Sequence, residues 1–361
     1  MMEARGREAG AYLLVRFSSL GDVVIATAAA RVLRAARPRA RVILATKAAF
    51  APILAAQPDL DEVWPLGAEG LGALIRRVRA ARFDAVVDLH GNFRSRLLGL
   101  ASGAKVSRWR KGSLNRRARV WARPFAGLWA PPPPVYERYA AAAARAVGLP
   151  APERGKAPLP RLGIAPSAAE WAAAWLASAG LGPDEPLLAA APGAAWRAKR
   201  WDAEAFGRCL GLAARAAGAR VLLVGSPGES ALLDEVAAVA AAAGAEGIVR
   251  GDAGAGGDLT RTAALLKTAG AFLGHDSGPA HVAAALGVPP TVLFGPTVRE
   301  FGFVPASPEG KVFETALPCR PCSLHGGDAC PLGHHDCLRT IAPEAVAEHL
   351  AATLASRGRN A

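Results

Sequence analysis

The chain holds 361 residues with a formal net charge of +13 and a pI near 10.3; 52% of them are apolar, 20% charged and 6% aromatic. That length favours two cores over one, and no run of about eighteen uncharged apolar residues offers a membrane span. The excess of positive charge points to an anionic partner: nucleic acid, an anionic lipid surface or a phosphorylated substrate.

The first residues, MMEARGREAG, are charged and lead into a short apolar stretch. No signal peptide is expected, and the cytoplasm is the expected compartment. Strand-like runs then alternate with alanine-rich helical ones. The strands are expected at Tyr12–Phe17, Val42–Ala45, Ala85–Leu89, Leu187–Ala191, Val221–Val224, Ala271–Gly274 and Thr291–Phe294. Helices are expected at Val23–Ala36, Ala203–Ala217, Ser230–Ala243 and Ala280–Leu286. Such alternation predicts an α/β protein with doubly wound parallel sheets. Two segments interrupt it: the rigid Pro131–Pro134 loop and the Pro-rich stretch 149–166, which reads as a linker between two Rossmann-like domains. Between Arg76 and Arg123 lie fourteen Lys or Arg residues, opposed only by Asp84 and Asp88. That local density favours an anion-binding face over a merely solvated one.

Four strand-to-helix turns carry chemistry. In VRFSSLGDVV, Gly21 is expected to permit a tight turn, and Asp22 enters the first turn of a helix, where the dipole favours its ionised form. In VVDLHGNFRSRL, a strand delivers Asp88, His90, Gly91 and Asn92 to a sheet edge, and a helix carrying Arg94 and Arg96 follows. A histidine there is commonly structural, but the carboxyl end of a strand makes it a functional candidate. In AAAPGAAWRAKRW, a Pro-Gly loop precedes Arg197, Lys199 and Arg200, cations suited to a departing diphosphate. In GHDSGPAHVAAALGVPPTVLFGPT, Ser277-Gly278 caps a helix with Pro279 at its start, and the free N–H groups there suit an anion. Asp276 would repel a phosphate; it is expected to accept from sugar hydroxyls or to order the turn. Gly295-Pro296-Thr297 forms a second loop on the same rim. Neither a dinucleotide G-x-G-x-x-G nor a P-loop G-x-x-x-x-G-K-[ST] accompanies these turns, so dehydrogenase and kinase readings lack their fingerprint.

Taken in order, VRFSSLGDVV, FDAVVDLHGNFRS, PGAAWRAKRW and GHDSGPAHVAAALGVPPTVLFGPT resemble the ADP-heptose–lipopolysaccharide heptosyltransferases of glycosyltransferase family 9. The segment LPCRPCSLHGGDACPLGHHDCL looks most like the type II branch. This resemblance implies a glycosyltransferase-B fold. Residues 1–165 would form an acceptor-binding domain and 166–342 a nucleotide-sugar domain, with a C-terminal helix in 343–361 packing back toward the first. It further implies an inverting transfer from an ADP-sugar that needs no catalytic metal or cofactor. By position Asp22 matches the family's general base and Lys199 the lysine at the donor phosphates. Asp276, Ser277, Gly278 and His281 match the donor-site motif, with Gly193 on the donor side. Ser18, Ser19, Gly21, His90, Asn92 and Arg94 fall on the acceptor side. Some relatives carry hydroxyl residues where this chain has Ala194 and Ala195. The implied acceptor is a phosphorylated, Kdo-bearing lipid at the inner face of the inner membrane, whose anionic surface the basic first domain would meet as a peripheral protein. No nucleic-acid partner is expected, and a monomer is. Two other readings stand: a transferase of the same fold acting on a different surface glycan, and a non-catalytic basic protein binding lipid or nucleic acid.

Cys319, Cys322, Cys330 and Cys337 are spaced C-x₂-C-x₇-C-x₆-C with three histidines among them. Two expectations are open for them: a structural zinc, or reduced, packed thiols. Cys209 stands apart.

Overall fold

The computed structural model describes residues 10–123, 125 and 130–358; the charged N-terminal stretch read for a signal peptide lies almost wholly outside them. Two compact units emerge. The first takes the described residues of Met1–Lys111 with Pro133–Gly163, and the second those of Gly112–Pro132 with Ile164–Ala361.

In the first unit, five parallel strands, β1 (Ala11–Val15), β2 (Arg41–Lys47), β3 (Glu62–Leu66), β4 (Ala85–Asp88) and β5 (Lys105–Arg108), stand in the order β3-β2-β1-β4-β5. The central strands are buried on both faces, which is why they read as unbroken apolar runs. Leu13, Val15, Ile43 and Val86 pack against Trp64, Leu74, Val78 and Phe83 on one face. Full burial of each such side chain contributes about 1.5–3 kcal/mol. The helical stretch expected at Val23–Ala36 is two helices, Leu20–Ile25 and Thr27–Ala36, divided at Ala26.

The second unit holds six parallel strands, β6 (Leu187–Ala191), β7 (Arg220–Leu223), β8 (Ile248–Arg250), β9 (Ala271–His275), β10 (Pro290–Phe294) and β11 (Lys311–Glu314), ordered β11-β10-β9-β6-β7-β8. In both sheets the order reverses beside the first strand of the unit, between β1 and β4 and between β6 and β9. Ligands bind outside the carboxyl ends of strands at such reversals.

The described residues of Gly112–Pro132 group with the second unit. The C-terminal helix, Pro343–Gly358, buries Val346, Ala347, Leu350 and Leu354 in the second unit's core beside Leu210 and Leu273, so its apolar face is spent there.

Candidate functional site

At the sheet reversal of the first unit, β1 ends and Arg16 and Phe17 lead into the Ser18-Ser19 turn. Ser19 is the N-cap of the helix Leu20–Ile25, and the third helical residue is Asp22. The Ser19 N–H and hydroxyl both donate to Asp22 Oδ2, at 3.1 and 2.9 Å. Ser19 therefore orients the carboxylate. Gly21 is buried within the helix and lies outside the left-handed region, so the tight turn expected of it is made by the helix start itself.

Arg16 completes the arrangement. Its Nη2 lies 2.7 Å from Asp22 Oδ2, and its Nη1 donates to the Leu89 carbonyl at 2.7 Å. The guanidinium sits 5.8 and 6.0 Å from the ring centroids of Tyr139 and Trp109, and the Tyr139 hydroxyl donates to Asp22 Oδ1 at 3.4 Å. Burial alone would raise the Asp22 pKa, but Arg16 and the Ser19 hydrogen bonds outweigh it and hold the carboxyl below its ordinary value. The result is an ionised carboxylate, fixed on one edge by Arg16 and Ser19. Sequence reasoning missed Arg16, although a lone charge in AYLLVRF was the signal available.

Beyond β4, Asp88 Oδ1 accepts from the His90 and Gly91 N–H groups at 3.0 and 2.7 Å. Gly91 has φ 64°, a left-handed conformation that favours glycine, and a Cβ there would displace the end of the Lys111 side chain. Lys111 Nζ donates to the Gly91 carbonyl at 2.9 Å. His90 packs edge-on against Phe17, with ring centroids 5.3 Å apart. Burial, then Arg16 and Lys111, lower its pKa to about 4, so it is neutral at physiological pH. Its buried Nδ1 has no hydrogen-bond partner. Asn92 Oδ1 is engaged as the N-cap of the helix Phe93–Ala101, accepting from the Ser95 N–H at 3.0 Å. Arg94 is exposed on that helix, and Ser18 is half-buried.

The reversal of the second unit gathers a different set. Lys199, on the loop after β6, places Nζ 2.6 Å from Asp276 Oδ2 and 3.1 Å from the Asp276 carbonyl, beyond β9. Thr297 Oγ1, beyond β10, donates to the same Oδ2 at 2.8 Å. Asp276 thus orders the turn, one of the two roles expected of it. Ser277 is the N-cap of the helix Gly278–Ala285, with Pro279 in its first turn. The Ser277 Oγ is buried with no hydrogen-bond partner among the described residues, beside N–H groups that no intrahelical bond can satisfy. His281 is buried in the same helix. His275, which the sequence did not mark, accepts the Trp201 N–H on Nε2 at 2.9 Å, and burial lowers its pKa to about 3. It remains neutral and ties β9 to the Lys199 loop.

That loop is closely packed and hydrogen-bonded. A Cβ on Gly193 would meet Glu229 Oε1 at 1.9 Å. Arg200 Nε and Nη2 both donate to the Ala194 carbonyl, at 2.8 and 2.7 Å. The cysteine segment braces it from outside: the Ala198 N–H donates to the Gly327 carbonyl at 2.9 Å, and His335 Nε2 lies 2.8 Å from the Ala198 carbonyl. Arg320 donates to the carbonyls of Gly295 at 2.6 Å and Thr297 at 2.7 Å. Among the described residues no group of three or more His, Cys, Asp or Glu side chains is placed to hold a metal ion, and all five cysteines are free thiols. Of the two expectations for these cysteines, the described geometry lends zinc no support, and backbone hydrogen bonds order the segment.

Four similarities bear on this geometry. A family profile described as Glycosyltransferase family 9 (heptosyltransferase) matches residues 71–328. The Salmonella typhimurium lipopolysaccharide heptosyltransferase 2 is 28% identical over 360 residues, covering 96% of this chain and 99% of the relative. A Campylobacter jejuni lipooligosaccharide heptosyltransferase 2 is 37% identical over 81 residues, a match spanning only 23% of that relative. Among solved structures, the E. coli ADP-heptose LPS heptosyltransferase II superimposes with a TM-score of 0.70 at 25% identity, covering 96% of this chain and 99% of the other. The expected glycosyltransferase-B class, two α/β units with parallel sheets, is the class observed.

Proposed function

The chain belongs to glycosyltransferase family 9, and on that premise we propose that it transfers heptose from ADP-heptose to the inner core of lipopolysaccharide, as a type II heptosyltransferase does. The near full-length similarity to the Salmonella heptosyltransferase 2 carries this reading. The acceptor is then a phosphorylated, Kdo-bearing lipid presented at the cytoplasmic face of the inner membrane.

The residues of each unit support a division of labour. A sugar hydroxyl is a poor nucleophile at neutral pH, so a base must take its proton as it attacks the anomeric carbon. Asp22, ionised and held by Ser19 and Arg16, supplies that base. As the glycosidic bond to the diphosphate breaks, negative charge grows on the departing phosphate oxygens. Lys199 and the N–H groups opening the helix Gly278–Ala285 meet that charge. Attack on the face opposite the leaving group inverts the anomeric centre. Incubation with a panel of nucleotide sugars, monitored by ADP release, tests the donor; release from ADP-heptose is expected to exceed that from UDP- and GDP-sugars. Transfer is also expected to survive EDTA, because the cations required are side chains and backbone dipoles. Loss of activity restored by magnesium would contradict that.

Arg16 makes a second prediction, in the pH profile. The groups facing Asp22 are Arg16, Ser19 and Tyr139, with His90 further off in the same field. A base with a lowered pKa keeps its activity as pH falls until that pKa is reached. Arg16→Gln removes the lowering charge, so the acid limb of kcat should move to higher pH, while Arg16→Lys holds it nearer the wild-type position. An acid limb unmoved in Arg16→Gln would separate Arg16 from the base.

A further inference from the structure

Large apolar side chains are spread unevenly over the surface of this protein. Among the described residues the four most exposed are Phe93 at 78%, Leu100 at 79%, Leu114 at 82% and Trp121 at 79%. They form two pairs. Phe93 and Leu100 share the helix Phe93–Ala101, and Leu114 and Trp121 share the helix Ser113–Trp121. Each pair is separated by seven residues, two helical turns, and so lies on one face. A soluble surface tolerates scattered apolar residues, but paired ones at this exposure mark a contact.

The charge beside them identifies what makes that contact. Between Asp88 and Glu137 the sequence contains ten Lys or Arg residues and no Asp or Glu. Arg94 and Arg96 on the first helix and Arg117 on the second are exposed. In the same stretch Arg108 lies 3.7 Å from Asp88 and Lys111 is bonded to Gly91, so not every cation faces outward. A helix that pairs exposed Phe, Leu or Trp with arginines and lacks acids is built for an anionic bilayer surface, where aromatic rings sit at headgroup depth and guanidinium groups meet phosphates. A protein partner would need no such uniform sign of charge.

We propose that the helices Phe93–Ala101 and Ser113–Trp121 are interfacial elements that each seat an apolar edge in an anionic bilayer. The proposal rests on the reading that the chain acts on a membrane lipid and names the surfaces that bring it there. No helix among the described residues is long and apolar enough to cross a membrane, so contact is with the surface.

The full chain is tested by co-sedimentation with phosphatidylcholine vesicles and with vesicles containing phosphatidylglycerol, neither holding acceptor. Wild-type protein should bind the anionic vesicles and release as salt rises. Phe93→Ser with Leu100→Ser, and separately Leu114→Ser with Trp121→Ser, should each weaken that binding about tenfold. Arg96→Gln with Arg117→Gln should weaken it and flatten its salt dependence. A gain-of-signal variant guards against misfolding: Phe93→Trp should show a blue-shifted emission when anionic vesicles are added. Equal binding by all variants, or a Phe93→Trp emission indifferent to lipid, would overturn the proposal. So would dimers that the serine variants dissociate while vesicle binding is unchanged, since a second copy would then cover these faces. ADP release on a delipidated acceptor is read in parallel. If no nucleotide sugar is turned over but the vesicle results hold, the enzymatic reading fails and the surface proposal stands.

Discussion

Asp22→Asn is expected to lower kcat by about 10²–10⁴-fold while leaving ADP binding unchanged. The substitution is close to isosteric, and an amide oxygen still accepts from the Ser19 N–H and hydroxyl, so the helix start is preserved. What is lost is the capacity to take a proton. Stopped assays at saturating donor and calorimetric titration of ADP separate the two effects. A variant retaining more than about a tenth of the wild-type rate would refute the base assignment. The substitution should also leave a thermodynamic mark. Because the folded-state pKa of Asp22 is depressed, its ionisation stabilises the fold above the ordinary carboxylate pKa, and that contribution fades as pH falls through the lowered value. The difference in melting temperature between wild type and variant should therefore shrink toward acid pH.

Lys199→Ala should be more damaging to donor binding than the loss of a single contact. Lys199 and Asp276 are each only 12% exposed and face each other at 2.6 Å. Removing the ammonium leaves the Asp276 carboxylate without its cation, next to where a diphosphate is proposed to bind. Both the missing attraction and the uncovered repulsion act in one direction. We expect donor KM to rise and kcat to fall by about 10²–10³-fold. Adding Asp276→Asn to Lys199→Ala should recover part of the donor affinity, because the repulsion is gone while the attraction remains absent. Unchanged KM and kcat in Lys199→Ala would remove the residue from the site.

How far the sequence disclosed this protein can be judged strand by strand. The seven strands anticipated, such as Tyr12–Phe17 and Leu187–Ala191, correspond to the interior strands of the two sheets. The four not anticipated, β3, β5, β8 and β11, are the four sheet edges. An interior strand buried on both faces is an apolar run; an edge strand such as Lys105–Arg108 or Lys311–Glu314 is short and charged, as edges must be to discourage pairing with other chains. The turns bearing Asp22, Lys199 and Asp276 were legible because Gly, Pro and Ser punctuate them. The partnerships were not. Tyr139 approaches Asp22 across 117 residues of sequence, and His335 meets Ala198 across 137. No local pattern encodes such contacts. The C-terminal helix is opaque for a related reason: its apolar residues are plain, but nothing in them names the sheet they cover.

The Pro-Gly loop before Lys199 has an evolutionary consequence. Its backbone is pinned by Arg200 on the Ala194 carbonyl and by Gly327 and His335 on Ala198, and Glu229 crowds Gly193. None of these restraints involves the Ala195 side chain. Ala195 is exposed, whereas Ala194 is 5% exposed and has little room to grow. Mutational drift at 195 can thus add a hydroxyl or a longer polar group without disturbing the contacts that hold the loop leading to Lys199. Position 195 can therefore change in single steps, each still a folded protein.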